Sequence, residues 1–189
     1  MDFVGDVREA MTAFEAEREG IDAERREVAA QERDSLITGK IAGNKLAELD
    51  KRASEALSEA QRAIRAALDA YLGELGERYL VTADRLDPDD LAMLANPLVR
   101  LGARDLDALA AKHRGNPVML DAIHAAADER GVYLSAPHFS REAMEAEATG
   151  FASGASDACR ELAAGLSGVR FAMYVSGGVP AALSEGIDG

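Results

Sequence analysis

Three histidines, one cysteine and a short run of aspartates are the residues whose types could do chemistry in this chain. His113 and His124 lie eleven residues apart in "HRGNPVMLDAIHAAADERG", and His138 follows Pro137. Two imidazoles aimed at one metal ion from a helix need to sit about one turn apart, so this spacing predicts no metal site. His113 falls in the last turn of its helix, where a cationic ring is attracted by the negative helix end. Cys159 sits mid-helix among Ala158, Leu162 and Ala163, the ordinary place for a small buried thiol. "GFASGAS" resembles a nucleophile elbow only loosely and lacks the strand an elbow requires. Asp84, Asp87, Asp89 and Asp90 lack the alternating ligands, central Gly and closing Glu of a calcium loop, and helix capping accounts for most of them. "SGGVP" is not followed by a Lys-bearing helix, as a phosphate loop would be. The expectation is no catalytic residue, no metal, no cofactor and no enzyme.

The elements around these residues are set by composition and charge. The 189 residues contain 5% aromatics and no Trp, with Ala and Leu throughout, a mixture that favours close helix packing over a sheet sandwich. Net charge is -13, and acidic residues exceed basic ones in every third of the chain. Phosphate backbones and anionic membranes are bound by clustered Lys and Arg, so direct nucleic-acid and membrane binding are disfavoured and a partner with a basic face is favoured. A single cysteine excludes an internal disulfide and fits a reducing compartment. "MDFVGDVREAMTAFEAE" has neither a basic start nor a continuous apolar run, and no later stretch approaches ~18 apolar residues. The expected location is cytoplasmic.

The predicted fold is all-α. Residues 2 to about 36 read as one long helix, with Val7, Phe14, Ile21 and Val28 every seventh residue. Phe3 and Ala10 begin a companion seam that Glu17 and Glu24 interrupt, a half-strength coiled coil. Gly20 marks a soft point. "ITGKIAGNK", residues 37–45, breaks the pattern, and a second long helix is expected from near Asn44, with Leu46, Leu49, Ala53, Leu57, Ala60, Ile64, Leu68, Tyr71, Leu75 and Tyr79 on one stripe. Pairs such as Glu48–Arg52 are expected on a solvated outer face.

Residues 81–131 are densely punctuated. Asp87-Pro88 opens a short helix that Asn96-Pro97 ends, a second helix runs from about 103 to 113, and Asn116-Pro117 repeats the cap-plus-proline device for a third ending before Gly131. Residues 103–131 could be a helix-turn-helix that binds nucleic acid as a regulator. Its reading helix would present Asp121, Asp128 and Glu129 with only Arg130 basic, so packing of Leu106, Leu109 and Ala110 against Met119, Leu120 and Ile123 is the favoured reading. Ser140 caps a helix from about 141 to 165, within a region 132–167. "VRFAMYV" alternates like a strand, and residues 168–189 are expected to be an extended or flexible tail.

At "LANPLVRLGARDLDALAAKHRGNPVMLDAIHAAADERG" the chain resembles small proteins encoded in the head-gene region of tailed bacteriophages and prophages of Gram-positive bacteria. Those pair a charged coiled-coil first half with a Leu-Leu-Asn-Ser-Gly segment, a Leu-x-x-Leu-Ala-x-Lys-Tyr helix, Asn-Pro-Thr-Met-Leu and a closing helix. The matching residues are Leu94, Ala95 and Asn96; Leu106, Leu109, Ala110 and Lys112, with His113 for the tyrosine; and Asn116, Pro117, Met119 and Leu120. Pro97 stands where the family has a small residue. The resemblance covers about residues 85–131 and implies a virion-assembly role, as a scaffolding-like protein or minor head component, with no catalytic residues.

Together these readings predict a non-enzymatic, self-associating protein that docks onto a capsid or other head protein. A hairpin or coiled coil over 1–80 would oligomerise through Val7, Phe14, Ile21, Leu57, Ile64 and Leu68, or the same residues would only close a monomeric hairpin. Leu106, Leu109, Met119, Leu120, Phe171 and Met173 would meet the partner.

Overall fold

The computed structural model describes residues 2–135, 137–166 and 168–184 and is all-helical over them. Eight helices follow in order: α1 Phe3–Arg33, α2 Gly39–Arg78, α3 Pro88–Ala95, α4 Ala103–Lys112, α5 Pro117–Glu129, α6 Arg141–Ala163, α7 Val169–Ser176 and α8 Ala181–Ser184. The described residues form two compact units, one within residues 2–71 and 147–184 and the other within residues 72–146.

In the first unit α1 and α2 fold back on one another. Gln31 lies opposite Lys45, Arg25 opposite Asp50, and Glu24 and Glu17 opposite Arg52, so numbers fall along one helix as they rise along the other. The turn between them is a Schellman motif: Leu36 N–H donates to the Gln31 carbonyl and Ser35 N–H to the Glu32 carbonyl. Ser35 adopts φ 59°, a left-handed conformation that glycine would occupy more readily. The second helix starts at Gly39, earlier than expected. The turn is complete by residue 38, and Thr38 already accepts the first helical bond from Ala42 N–H, so Gly39 and Gly43 are absorbed into the helix. The first helix likewise continues through Gly20.

Near the hairpin tip Ile21, Val28, Ala42 and Leu49 pack together, with Ile37, Leu46 and Ala53 beside them. Glu17 and Glu24, which break the companion seam of α1, both accept hydrogen bonds from Arg52 at 2.9 Å. Arg52 therefore bridges the two helices, instead of lying on a purely solvated face with Glu48. Toward the other end Phe3 stacks on Tyr71 at 5.0 Å and meets Phe151 of α6 edge-on at 6.0 Å. Ala148, Ala152, Ala155, Ala158, Cys159 and Leu162 form the buried stripe of α6.

The segment expected to be a strand is the helix α7. Seven residues are too few to separate a period of two from one of 3.6. Phe171, Tyr174 and Val175 fall at helical spacing: Phe171 packs on Phe14 at 6.4 Å and Tyr174 on Phe151 at 5.2 Å. Arg8 of α1 donates to the backbone carbonyls of Tyr174 and Gly177, satisfying the C-terminal end of α7. Gly154 permits this seat, because a Cβ there would lie 1.8 Å from Tyr174 Oη. The tail reading is corrected further by α8, whose Ala182 and Leu183 are buried. Residues 185–189 lie outside the described residues.

In the second unit the three short helices form as their punctuation predicts. Asp87 caps α3 through the N–H of Asp90, and Asn116 caps α5 through that of Met119, each with proline in the first turn. Leu94, Leu106, Leu109, Ala110, Ile123, Ala126 and Ala127 make one core, with Leu120 packed against it. Gly131, at φ 65°, closes α5 in a second Schellman turn that brings Val132 onto this core. Arg130 donates to the carbonyls of Ala126 and Leu94, tying α5 to the end of α3. Ser140 caps α6 through Ala143 N–H, and Tyr79 Oη donates to the Phe139 carbonyl at 3.0 Å.

Candidate functional site

Among the described residues, three groupings bring chemically capable side chains or an open surface together. The first lies where the start of α3 meets the end of α4. Asp87 stands there because it caps α3, Asp90 follows one turn on, and Lys112 and His113 are the last residue and C-cap of α4. Lys112 Nζ is 2.9 Å from Asp87 Oδ2 and 2.6 Å from Asp90 Oδ2. His113 Nε2, buried, is also 2.6 Å from Asp90 Oδ2 and donates to it, since the carboxylate can only accept. Bonds from Lys112 first, then from His113, hold the Asp90 carboxyl below its ordinary range. Lys112 and the Asp90 backbone N–H do the same for Asp87. The two aspartates in turn hold the Lys112 ammonium well above its usual value.

Carboxylate oxygens of Asp87 and Asp90 and a His113 nitrogen lie within 4.8 Å of one another, close enough for a metal ion. The donor set fits one poorly, because the ammonium of Lys112 already sits between the carboxylates and would be repelled by a divalent cation. The arrangement is an ion-pair network joining two helices. Sequence reading found the capping role of Asp87 and the helix-end position of His113. It missed that Asp90 and His113, 23 residues apart, meet.

The second grouping lies beside α5. His138 Nε2 donates to Asp121 Oδ1 at 2.6 Å, and the His124 and His138 rings are 4.9 Å apart. Asp107 accepts from the N–H and Oγ of Ser135, both at 2.8 Å. Burial first, and then the neighbouring His138, push the His124 imidazole below its ordinary value, against the opposing pull of Asp128, Asp121 and Asp107. His138 is thus brought beside His124, which its distance along the chain did not suggest. Cys159 is fully buried, and burial raises its thiol to about 11, so little of it is the nucleophilic thiolate near neutral pH.

The third is an open groove of about 360 Å³ between α1 and α2. Ala10, Ala13 and Phe14 line it from α1, and Ala56, Ala60 and Ala63 from α2; Phe14 and Ala60 are buried at its base. Exposed Glu17, Glu55 and Glu59 stand around it, with Arg52 at one end held between Glu17 and Glu24. Near the tip the hairpin is filled by Ile21, Val28 and Leu49. Here alanines replace the larger residues, and the helices leave an unfilled trough.

Among protein-family models, curated proteins and solved structures, none matches the chain. No described helix is long and apolar enough to cross a membrane.

The residues expected at interfaces sit differently from the expectation. Val7, Phe14, Ile21 and Ile64 are buried within the single chain, and Leu57 and Leu68 are half-buried. The hairpin uses Val7, Ile21 and Ile64 to close on itself, while Leu57 and Leu68 stay partly exposed and Phe14 lies in the lining of the groove. Of the residues expected to meet a partner, Leu106, Leu109, Met119 and Phe171 are buried and Leu120 is half-buried. Met173 alone is exposed, at 67%, next to Val169 and Leu166.

Proposed function

We propose that this chain is a non-enzymatic, scaffolding-like adaptor in virion head assembly, which docks onto a capsid or other head protein while its own apolar seam stays closed within one chain. The observation that carries the docking role is the groove between α1 and α2, an apolar trough under exposed carboxylates. Such a surface suits another protein's helix, whose apolar face enters the trough while its polar flanks meet the rim. The head-assembly context rests on the resemblance over residues 85–131. The residues that carry it have assignable structural tasks: Leu94, Leu106, Leu109 and Ala110 build the module's core, Asn116 caps α5, and Lys112 bridges Asp87 and Asp90.

The expected self-association through Val7, Phe14, Ile21 and Ile64 is replaced in this proposal by closure of the hairpin, since those side chains are already buried. The alternative role as a nucleic-acid-binding regulator meets an obstacle in the same module. Arg130, the one basic residue of the would-be reading helix, is spent on the Leu94 and Ala126 carbonyls. Coexpression of the full chain with the products of the genes flanking its own tests the proposal. Closed shells that form only when the chain is present support it. Shells that form equally well without it, or salt-sensitive binding to duplex DNA by the chain alone, overturn it.

A further inference from the structure

We infer that the α1/α2 groove receives an amphipathic helix with basic flanks from the partner, a reading that deepens the docking role proposed above. Three properties of the groove converge on that occupant. Its lining runs from Ala10 to Glu17 on α1 and from Arg52 to Ala63 on α2, about 10 to 16 Å at 1.5 Å per residue. Apolar side chains at i, i+3 or i+4, and i+7 of a helix span about the shorter of those lengths. Its volume, about 360 Å³, compares with the ~150 Å³ that accommodates one benzene ring, so about two large side chains fit.

The third property is charge. Glu17, Glu55 and Glu59 face one guanidinium in the lining, and Arg52 is already shared by Glu17 and Glu24. Lys51 and Arg62 approach Glu55 and Glu59 only at 3.6 and 3.9 Å on exposed surface. Such pairs are weak and exchangeable, so lysines or arginines flanking an incoming helix can take their place. A helix with acidic flanks, including α1 or α2 of a second copy with their own excess of carboxylates, would meet like charge around the trough.

The test uses the full chain and two designed helical peptides of about 18 residues with the same leucines at i, i+4 and i+7, one flanked by lysines and the other by glutamates. Fluorescence anisotropy is read at about 0.05 M and about 0.3 M salt. The lysine peptide is expected to bind one per chain, at least tenfold more tightly than its twin, and to weaken at the higher salt. Ala56→Leu, which fills the trough with a residue of similar helix propensity, should abolish binding while circular dichroism stays unchanged. The double variant E55K/E59K should reverse the preference between peptides. Equal binding of both peptides, binding indifferent to Ala56→Leu, or no binding overturns the inference. Self-association abolished by Ala56→Leu also overturns it, in favour of a second copy as occupant. Shell assembly that requires the chain but proceeds normally with the Ala56→Leu variant would remove the groove and leave the head-assembly role; peptide discrimination by a chain whose presence makes no difference to shell assembly would do the reverse.

Discussion

Gly154 offers a prediction whose sign depends on one neighbour. It lies in the interior of α6, where replacing glycine by alanine ordinarily stabilises by about 1 kcal/mol. Here the new Cβ would fall 1.8 Å from Tyr174 Oη and 2.6 Å from its Cζ, so the ring must move. Moving it disrupts the edge-on contact with Phe151 and the seat of α7, and such overpacking destabilises by about 1 to 3 kcal/mol. The net expectation for Gly154→Ala is a loss of roughly 1 kcal/mol. In a Tyr174→Ala background the obstacle is gone, and the same substitution should stabilise by about 1 kcal/mol. Urea denaturation of the four chains of this cycle, followed by circular dichroism, gives the coupling directly, expected at about 1 to 3 kcal/mol. A Gly154→Ala chain that is more stable than the parent, with no change of sign when Tyr174 is removed, would refute the packing of α7 on α6.

Ser35→Gly should stabilise the chain by about 1 kcal/mol in the same denaturation assay, because glycine relieves the left-handed φ of 59° at the hairpin turn; Ser35→Val should do the opposite. Asp87 and Asp90 titrate below their unfolded values, so their contribution is present in full above about pH 4 and is lost as pH falls through the lower folded-state values. Lys112→Met should raise the Asp90 carboxyl titration toward its unfolded value, read by NMR of the side-chain carboxyl, and so shrink that pH-dependent contribution. His124 is also depressed: its contribution is complete above about pH 6.5 and declines as pH falls toward the lower folded-state value, because protonation is opposed by burial and by His138. His124→Gln should flatten that part of the stability profile, and an unchanged slope would show that the imidazole is not buried as described.

The parts of the structure that were legible in sequence are those governed by local rules. Asp87-Pro88 and Asn116-Pro117 identified two helix starts, and the seven-residue spacing of Val7, Phe14, Ile21 and Val28 identified the buried face of α1. What escaped depends on contacts between distant segments. "VRFAMYV" supports either period over so short a length, and its helical state rests on Phe14, Phe151 and Arg8. Glu17 and Glu24 look like breaks in a seam until Arg52 is brought opposite them. The pairing of His124 with His138 requires the chain after α5 to return, which no spacing encodes. The groove is a consequence of what alanine omits: Ala10, Ala56 and Ala60 continue the helical stripe, but their small volume leaves a space that appears only when both helices are placed.

The central claim is that the apolar seam of α1 and α2 is satisfied within one chain, leaving the groove as the surface that docks. Sedimentation velocity of the full chain over a wide range of concentration tests it most directly. The account predicts a concentration-independent species of 20.0 kDa. A dimer that separates only when the helices unfold would contradict it, because Val7, Phe14, Ile21 and Ile64 would then be shared between chains.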